Sequence, residues 1–191
     1  MSRHIILDLD QTIISGEAID EFEVKNEKRK KNFTFHTMDN DYFIFERPNL
    51  QRFLDYIFDN FKVSVWTAAS KDYALFIIDN VILKNREDRK LEWIFYAYHC
   101  KISEDLTNSS KNLSILWNKF DIDDFRGDIF IFDDNEDVYN CQPDRCLIAK
   151  PFYFTEKGSE DDDYLNQVIR LLKKGEKVKK MNKKLLRDNS N

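Results

Sequence analysis

Glycine, proline, cysteine and histidine are all scarce in this chain of 191 residues, at four, three, three and three. So few glycines leave no room for a glycine-rich phosphate loop, and neither G-x-G-x-x-G nor G-x-x-x-x-G-K-[ST] occurs. Long Gly- or Pro-rich linkers are absent too. Cys100, Cys141 and Cys146 are odd in number and include no C-x-x-C pair, while His4, His36 and His99 show no ligand spacing. A zinc centre is therefore not expected, and reduced thiols in an intracellular compartment are. No basic-then-apolar leader opens the chain and no apolar run reaches about 18 residues, so neither export nor a membrane span is expected. The net charge of −5 argues against direct nucleic-acid binding, since phosphate backbones call for a basic face.

What is abundant is core material. The chain is 42% hydrophobic and carries sixteen Phe, enough for one ordinary globular domain. Apolar strand candidates recur at 5–7, 62–66, 93–98, 129–132 and 146–149. Helical periodicity lies between several of them. Pro48 precedes Leu50, Phe53, Leu54, Ile57 and Phe58, and Ser70 can cap a helix with Leu75, Ile78, Val81 and Ile82 inward. Residues 113–120 form a third candidate. Alternation of this kind predicts an α/β fold with a mainly parallel central sheet flanked by helices.

The stretch 15–46 interrupts the alternation. Segments 33–35 and 42–45 flank Asp39-Asn40, which is turn chemistry, so a β-hairpin inserted after the first strand is expected. The basic run 25–31 inside it reads as a solvated loop or as a dock for an acidic peptide. Tyr42, Phe43 and Phe45 read as the hairpin's packed face, or as an aromatic wall for a peptide. A helix over 161–172 would close the domain (1–172), its acidic first turn (160–163) suiting the helix dipole. Residues 173–191 read as a basic, solvated tail.

Asp8-Leu9-Asp10-Gln11-Thr12 stands at the end of the first apolar run. An i, i+2 spacing sends two carboxylates in roughly one direction, and such a pair needs a cation or a raised pKa on one partner. Ligands in parallel sheets bind beyond the carboxyl ends of the strands. Thr67 follows the strand at 62–66, Asp133 and Asp134 follow 129–132, and Lys111 opens the segment before that strand. One such residue means little; the set is coherent. Asp121, Asp123 and Asp124 read as a solvated turn rather than a second metal site.

These residues resemble the haloacid dehalogenase (HAD) superfamily of aspartate-nucleophile phosphohydrolases, closest to its RNA polymerase II carboxy-terminal-domain (CTD) phosphatase branch. The branch's Asp-Leu-Asp-x-Thr is matched by 8–12, its Arg-Pro by Arg47-Pro48, and its Thr-Ala-Ser element by Thr67-Ala68-Ala69-Ser70. Its Lys-Asp-Leu-Ser is similar to Lys111-Asn112-Leu113-Ser114, and its last motif to Asp133-Asp134 through Tyr139. Glu136 departs from a Pro frequent at that point of the family. The resemblance implies a Rossmann-like HAD fold and a Mg²⁺-dependent phosphatase acting on phosphoserine or phosphothreonine in a protein or peptide, the polymerase CTD among the candidates.

Phosphate-monoester hydrolysis is extremely slow uncatalysed, and a carboxylate nucleophile divides it into two easier steps. Asp8 is then the expected nucleophile and Asp10 the acid that protonates the leaving alkoxide and later activates water. Thr67, Ala68, Thr12 and Lys111 are the expected phosphate contacts. Asp8, Asp134 and the Asp10 carbonyl are the expected Mg²⁺ ligands, with Asp133 supporting them or holding Lys111. For Asp10 to act as an acid its pKa must rise, so turnover should favour the acid side of neutral. Two rival readings remain: a phosphatase of small metabolites or nucleic-acid ends on the same scaffold, and a catalytically silent binding module.

Overall fold

The run His-Ile-Ile-Leu is buried along its whole length, as a strand covered on both faces must be. It forms β1 (His4–Leu7), the centre of the fold in this computed structural model, which describes residues 3–122 and 129–188. The chain then makes β2 (Ile14–Ala18), a single turn α1 (Glu27–Lys30), β3 (Phe35–Met38) and β4 (Tyr42–Glu46). Next come α2 (Leu50–Asn60), β5 (Lys62–Trp66), α3 (Lys71–Ile77), β6 (Leu91–Phe95), α4 (Ala97–Thr107) and α5 (Ser114–Asn118). The order ends with β7 (Ile129–Asp133), α6 (Glu136–Cys141), β8 (Cys146–Ile148), α7 (Tyr164–Lys173) and α8 (Val178–Asp188).

One sheet runs β6-β5-β1-β7-β8 with every pairing parallel. From β1 the chain builds outward through β5 to β6, then returns to the other flank for β7 and β8. The strand order reverses beside β1, and an open α/β sheet leaves its ligand crevice at such a point. Helix α2 lies against this sheet through Leu50, Phe53, Leu54 and Ile57, each side chain worth roughly 2 kcal/mol when buried.

The insertion is a three-stranded antiparallel sheet, β2-β4-β3, turned at Asp39 with φ +47°. It is larger than the expected hairpin because β2 joins it; Gly16 and Glu17 break the alternation that would announce that strand. Phe45 stacks on Phe154 at 3.7 Å, and Phe22, Phe33, Phe43 and Phe152 complete an aromatic cluster that fastens the insertion to the body. Phe43 and Phe45 thus form a packed face, as expected. The basic run is also engaged: Lys30 lies 3.4 Å above the Phe43 ring, and Arg29 reaches Glu160 at 2.8 Å.

Three boundaries differ from the sequence expectation. The strand expected over 93–98 stops at Phe95, because the Tyr96 amide donates to His99 Nδ1 and begins α4. The acidic run before α7 is spent on ion pairs, with Asp162 gripping the buried Arg47 through both carboxylate oxygens at 3.1 and 3.0 Å. The solvated tail expected after residue 172 is instead helix α8, whose Val178, Met181 and Leu185 are buried. Its Asn182 donates to the Cys146 carbonyl and accepts from the Ile148 amide, covering the open edge of β8. The acidic positions Asp123 and Asp124 lie outside the described residues.

His4 gives the fold a pH dependence. Its Nε2 meets Ser64 Oγ at 2.8 Å and its ring stacks on Trp93 at 4.6 Å. Burial, and secondarily Lys62, lowers its pKa from 6.5 to about 4. The folded state thus holds a neutral imidazole that the unfolded chain protonates, so stability is intact above pH 6.5 and falls as pH drops toward 4. Denaturant titrations should show about 2 kcal/mol more loss between pH 7 and pH 5 for wild type than for His4→Gln. Parallel pH slopes for the two proteins would refute a neutral buried His4.

Candidate active site

Beyond Leu7 the β1 ladder continues for one residue: the Asp8 amide donates to the Phe132 carbonyl at 3.0 Å. The chain then turns sharply. The amides of Thr12, Ile13 and Ile14 all point at the Leu9 carbonyl, and Gln11 takes the left-handed φ of +56°. This knot holds Asp8 and Asp10 at the end of the central strand.

Asp8 is buried and meets two other elements. Lys111 Nζ donates to Asp8 Oδ1 at 2.5 Å and to Asp133 Oδ2 at 2.8 Å, tying the ends of β1 and β7 through one ammonium. Asp133 Oδ1 accepts from the Asn135 amide at 2.9 Å. Thr67, at the end of β5, is buried, with its Oγ1 accepting from the Ala69 amide at 3.1 Å. Asp8, Asp10, Thr67, Ala68, Lys111, Asp133 and Asp134 all line one cavity of about 230 Å³. The topology thus brings together seven of the eight residues singled out in the sequence.

Thr12 is the exception. Its hydroxyl is wholly buried, accepts from the Asp134 amide at 3.1 Å, and lies 3.1 Å from Asp8 Oδ2 and 3.0 Å from Asp134 Oδ1. It does not line the cavity. A hydroxyl already committed beneath two carboxylates is placed to support them rather than to face the cavity where a substrate contact was expected.

Carboxylates outnumber cations here. Ligand oxygens of Asp8, Asp133 and Asp134 lie within 4.8 Å of one another. Burial, aided by Asp133 and Asp134, pushes Asp8 up to about 8 even though Lys111 draws it down. Burial also raises Asp134 and Asp10, with Asp133 adding to the first and Tyr73 restraining the second. For Lys111 burial acts downward, but Asp8 and Asp133 more than reverse it and the ammonium is retained. Ionising all three carboxylates against a single ammonium would leave the cluster short of positive charge. The donors are all hard oxygens, so the residues fit a divalent cation of the Mg²⁺ type.

Two supporting residues carry no recognisable signal in the sequence. Gln142 Nε2 donates to the Lys111 carbonyl at 2.7 Å while its Oε1 accepts from the Leu113 amide, fixing the turn that delivers Lys111. Tyr73 donates its hydroxyl to Asp10 Oδ1 at 2.6 Å. Its helix was legible from the Ser70 cap, but nothing in the apolar spacing distinguishes the face that meets the strand ends.

Residues 3–182 match the NLI interacting factor-like phosphatase family. A CTD phosphatase-like protein of invertebrate iridescent virus 6 is 39% identical over 176 residues, covering 89% of this chain and 97% of that protein. Its counterpart in invertebrate iridescent virus 3 is 42% identical, covering 88% and 94%. Among solved structures, fission yeast Fcp1, an RNA polymerase II CTD phosphatase bound to beryllium fluoride, superposes with a TM-score of 0.56 at 20% identity. That match takes in 99% of this chain but spans only 56% of the Fcp1 chain, and it supports the HAD-type fold. Among the described residues no helix is long and apolar enough to cross a membrane.

Proposed function

Because the chain belongs to the NLI interacting factor-like phosphatase family, we propose that it is a Mg²⁺-dependent HAD phosphatase of phosphoserine or phosphothreonine in proteins. The observation that carries this reading is Lys111 joining Asp8 to Asp133 at the floor of the cavity. A carboxylate held beside a buried ammonium is an oriented nucleophile, and the same ammonium can offset the charge of an arriving phosphoryl group.

In this reading an Asp8 oxygen attacks phosphorus as the ester P–O bond breaks, and the carboxyl of Asp10 gives its proton to the leaving alkoxide. Asp10, now ionised, takes a proton from water; the water oxygen attacks phosphorus and the Asp8–phosphate bond breaks, releasing inorganic phosphate. Thr67, Ala68 and Lys111 would bind the phosphoryl oxygens. Asp8, Asp134 and the Asp10 carbonyl would hold Mg²⁺, with Asp133 keeping Lys111 in place. Bound there, Mg²⁺ supplies the positive charge the carboxylates lack and eases the approach of two anions.

The shape of the mouth favours a polypeptide substrate. The phosphate-sized cavity adjoins a second recess of about 530 Å³, lined by Met38, Tyr42 and Tyr73, and both share Asp10 and Ala69. The insertion packs its aromatic face against the body and lends Met38, Asp41 and Tyr42 to one wall of the recess. A phosphorylated residue within a chain can therefore enter with its neighbours beside it. The polymerase CTD would be one such substrate.

Turnover measured on phosphoserine peptides, p-nitrophenyl phosphate, nucleotides and 3′-phosphorylated oligonucleotides, with Mg²⁺ and with EDTA, tests the reading. Mg²⁺-dependent hydrolysis with kcat/KM highest on the peptides is expected. Preference for nucleotides or oligonucleotides would overturn the substrate class, and no hydrolysis of any of them would favour a silent binding module.

A further inference from the structure

The Asp10 carboxyl does not stand by itself. Tyr73 Oη is 2.6 Å from its Oδ1. Tyr73 is the third residue of α3, and its own amide is tied to the capping Ser70 Oγ at 3.3 Å. Its ring meets Tyr42 of the insertion edge-on at 5.7 Å. The hydroxyl is therefore fixed from two sides, by a helix start on the body and by a strand of the insertion.

Gly16 supplies an independent observation. A Cβ on this β2 residue would fall 2.4 Å from Tyr73 Oη and 3.3 Å from Asp10 Oδ1. Its φ is not in the left-handed region, so backbone freedom does not explain the glycine. What it provides is space, at the one point where the Tyr73–Asp10 bond passes β2.

We propose that Tyr73 is a positioning residue for Asp10, holding the acid–base carboxyl in one orientation through both chemical steps, with Gly16 keeping the space that this bond requires. This rests on the acid–base role proposed for Asp10. A carboxyl free to rotate about its terminal torsion spends little time within the 2.6–3.2 Å or so at which proton transfer to a leaving oxygen occurs. Displacement by about 1 Å is enough to cost roughly 100-fold in rate.

The two steps make different demands, and that difference gives the test. In p-nitrophenyl phosphate the leaving phenolate departs without a proton, so the first step runs without Asp10; hydrolysis of the phosphoenzyme still needs it. A phosphoserine peptide needs Asp10 in both steps. Rapid-quench kinetics with Mg²⁺ should show Tyr73→Phe retaining the nitrophenolate burst rate within about threefold. Its steady-state rate should fall about 10- to 100-fold, and phosphoenzyme should accumulate. On the peptide, no burst and a fall in kcat without a matching rise in KM are expected. Gly16→Ala, which displaces the hydroxyl without removing it, should give the same pattern.

Equal losses in burst and steady state, or no loss in either, would overturn the positioning role. Asp10→Asn separates this outcome from failure of the underlying reading. If that variant shows the split and Tyr73→Phe does not, only the Tyr73 proposal falls. If Asp10→Asn shows no split, the acid–base role of Asp10 falls first.

Discussion

Replacing Asp8 with Asn is expected to abolish turnover while leaving the fold intact. Asn occupies nearly the same volume but lacks the anionic oxygen that must form the bond to phosphorus. Removing a catalytic nucleophile from a site whose groups act as a unit costs roughly 10⁴- to 10⁶-fold in kcat. Neither a nitrophenolate burst nor an acid-quenched phosphoenzyme should be detectable. The fold should tolerate the change because burial beside two other carboxylates pushes Asp8 up to about 8, so the folded site favours its neutral form. An amide there has the charge of that neutral form, and Lys111 keeps its 2.8 Å partner in Asp133. Thermal unfolding without Mg²⁺ should occur at or above the wild-type midpoint, and added Mg²⁺ should raise it by less than in wild type. Substantial residual turnover in well-folded Asp8→Asn would remove Asp8 from the nucleophile's role.

How much of this site was legible in the sequence depends on which force fixes each residue. The carboxyl ends of β1, β5 and β7 could be read because buried parallel strands are continuous apolar runs, and the polar residue after each run marks its end. Asp8, Thr67 and Asp133 follow directly. Lys111 was assigned by its place in a motif; that it bridges Asp8 and Asp133 is tertiary and was not readable from spacing. Thr12 shows the limit: a hydroxyl two residues beyond Asp10 suggests a ligand contact. The tight turn onto the Leu9 carbonyl buries it instead. Tyr73 and Gln142 act through single hydrogen bonds across distant segments, which no local pattern encodes. For α8, eight Lys and Arg between 173 and 187 hid the apolar face formed by Val178, Met181 and Leu185. That face has helical spacing, and the basic residues surround it without interrupting it.

Lys111→Met should fail in the opposite manner, losing stability as well as turnover. The ammonium is buried, 4% exposed, and is the cation bonded to both Asp8 and Asp133. Methionine fills the space but leaves these carboxylates and Asp134 without that charge. Removing one partner of a buried ion pair costs about 3–5 kcal/mol, a large share of the 5–15 kcal/mol typical of a whole domain. The loss has a definite pH dependence. A carboxylate whose folded pKa is raised is tolerated when protonated and destabilises the fold as pH climbs from its unfolded value toward its folded one. For Asp8 that window runs from about 4 to about 8, and loss of Lys111 extends it upward. The variant should therefore fall progressively further behind wild type in denaturant as pH rises through about 8 and above, and stand closest to it near pH 5. At pH 8, Mg²⁺ should recover part of the stability, since a divalent cation offsets the same carboxylates. It should not recover turnover, because the donor to the phosphoryl oxygens is gone, a loss of about 10²- to 10³-fold in kcat. A stability gap between Lys111→Met and wild type that does not widen from about pH 7 to about pH 9 without Mg²⁺ would mean that Asp8 stays protonated there in wild type as well. The nucleophile would then have to lose a proton before it could act.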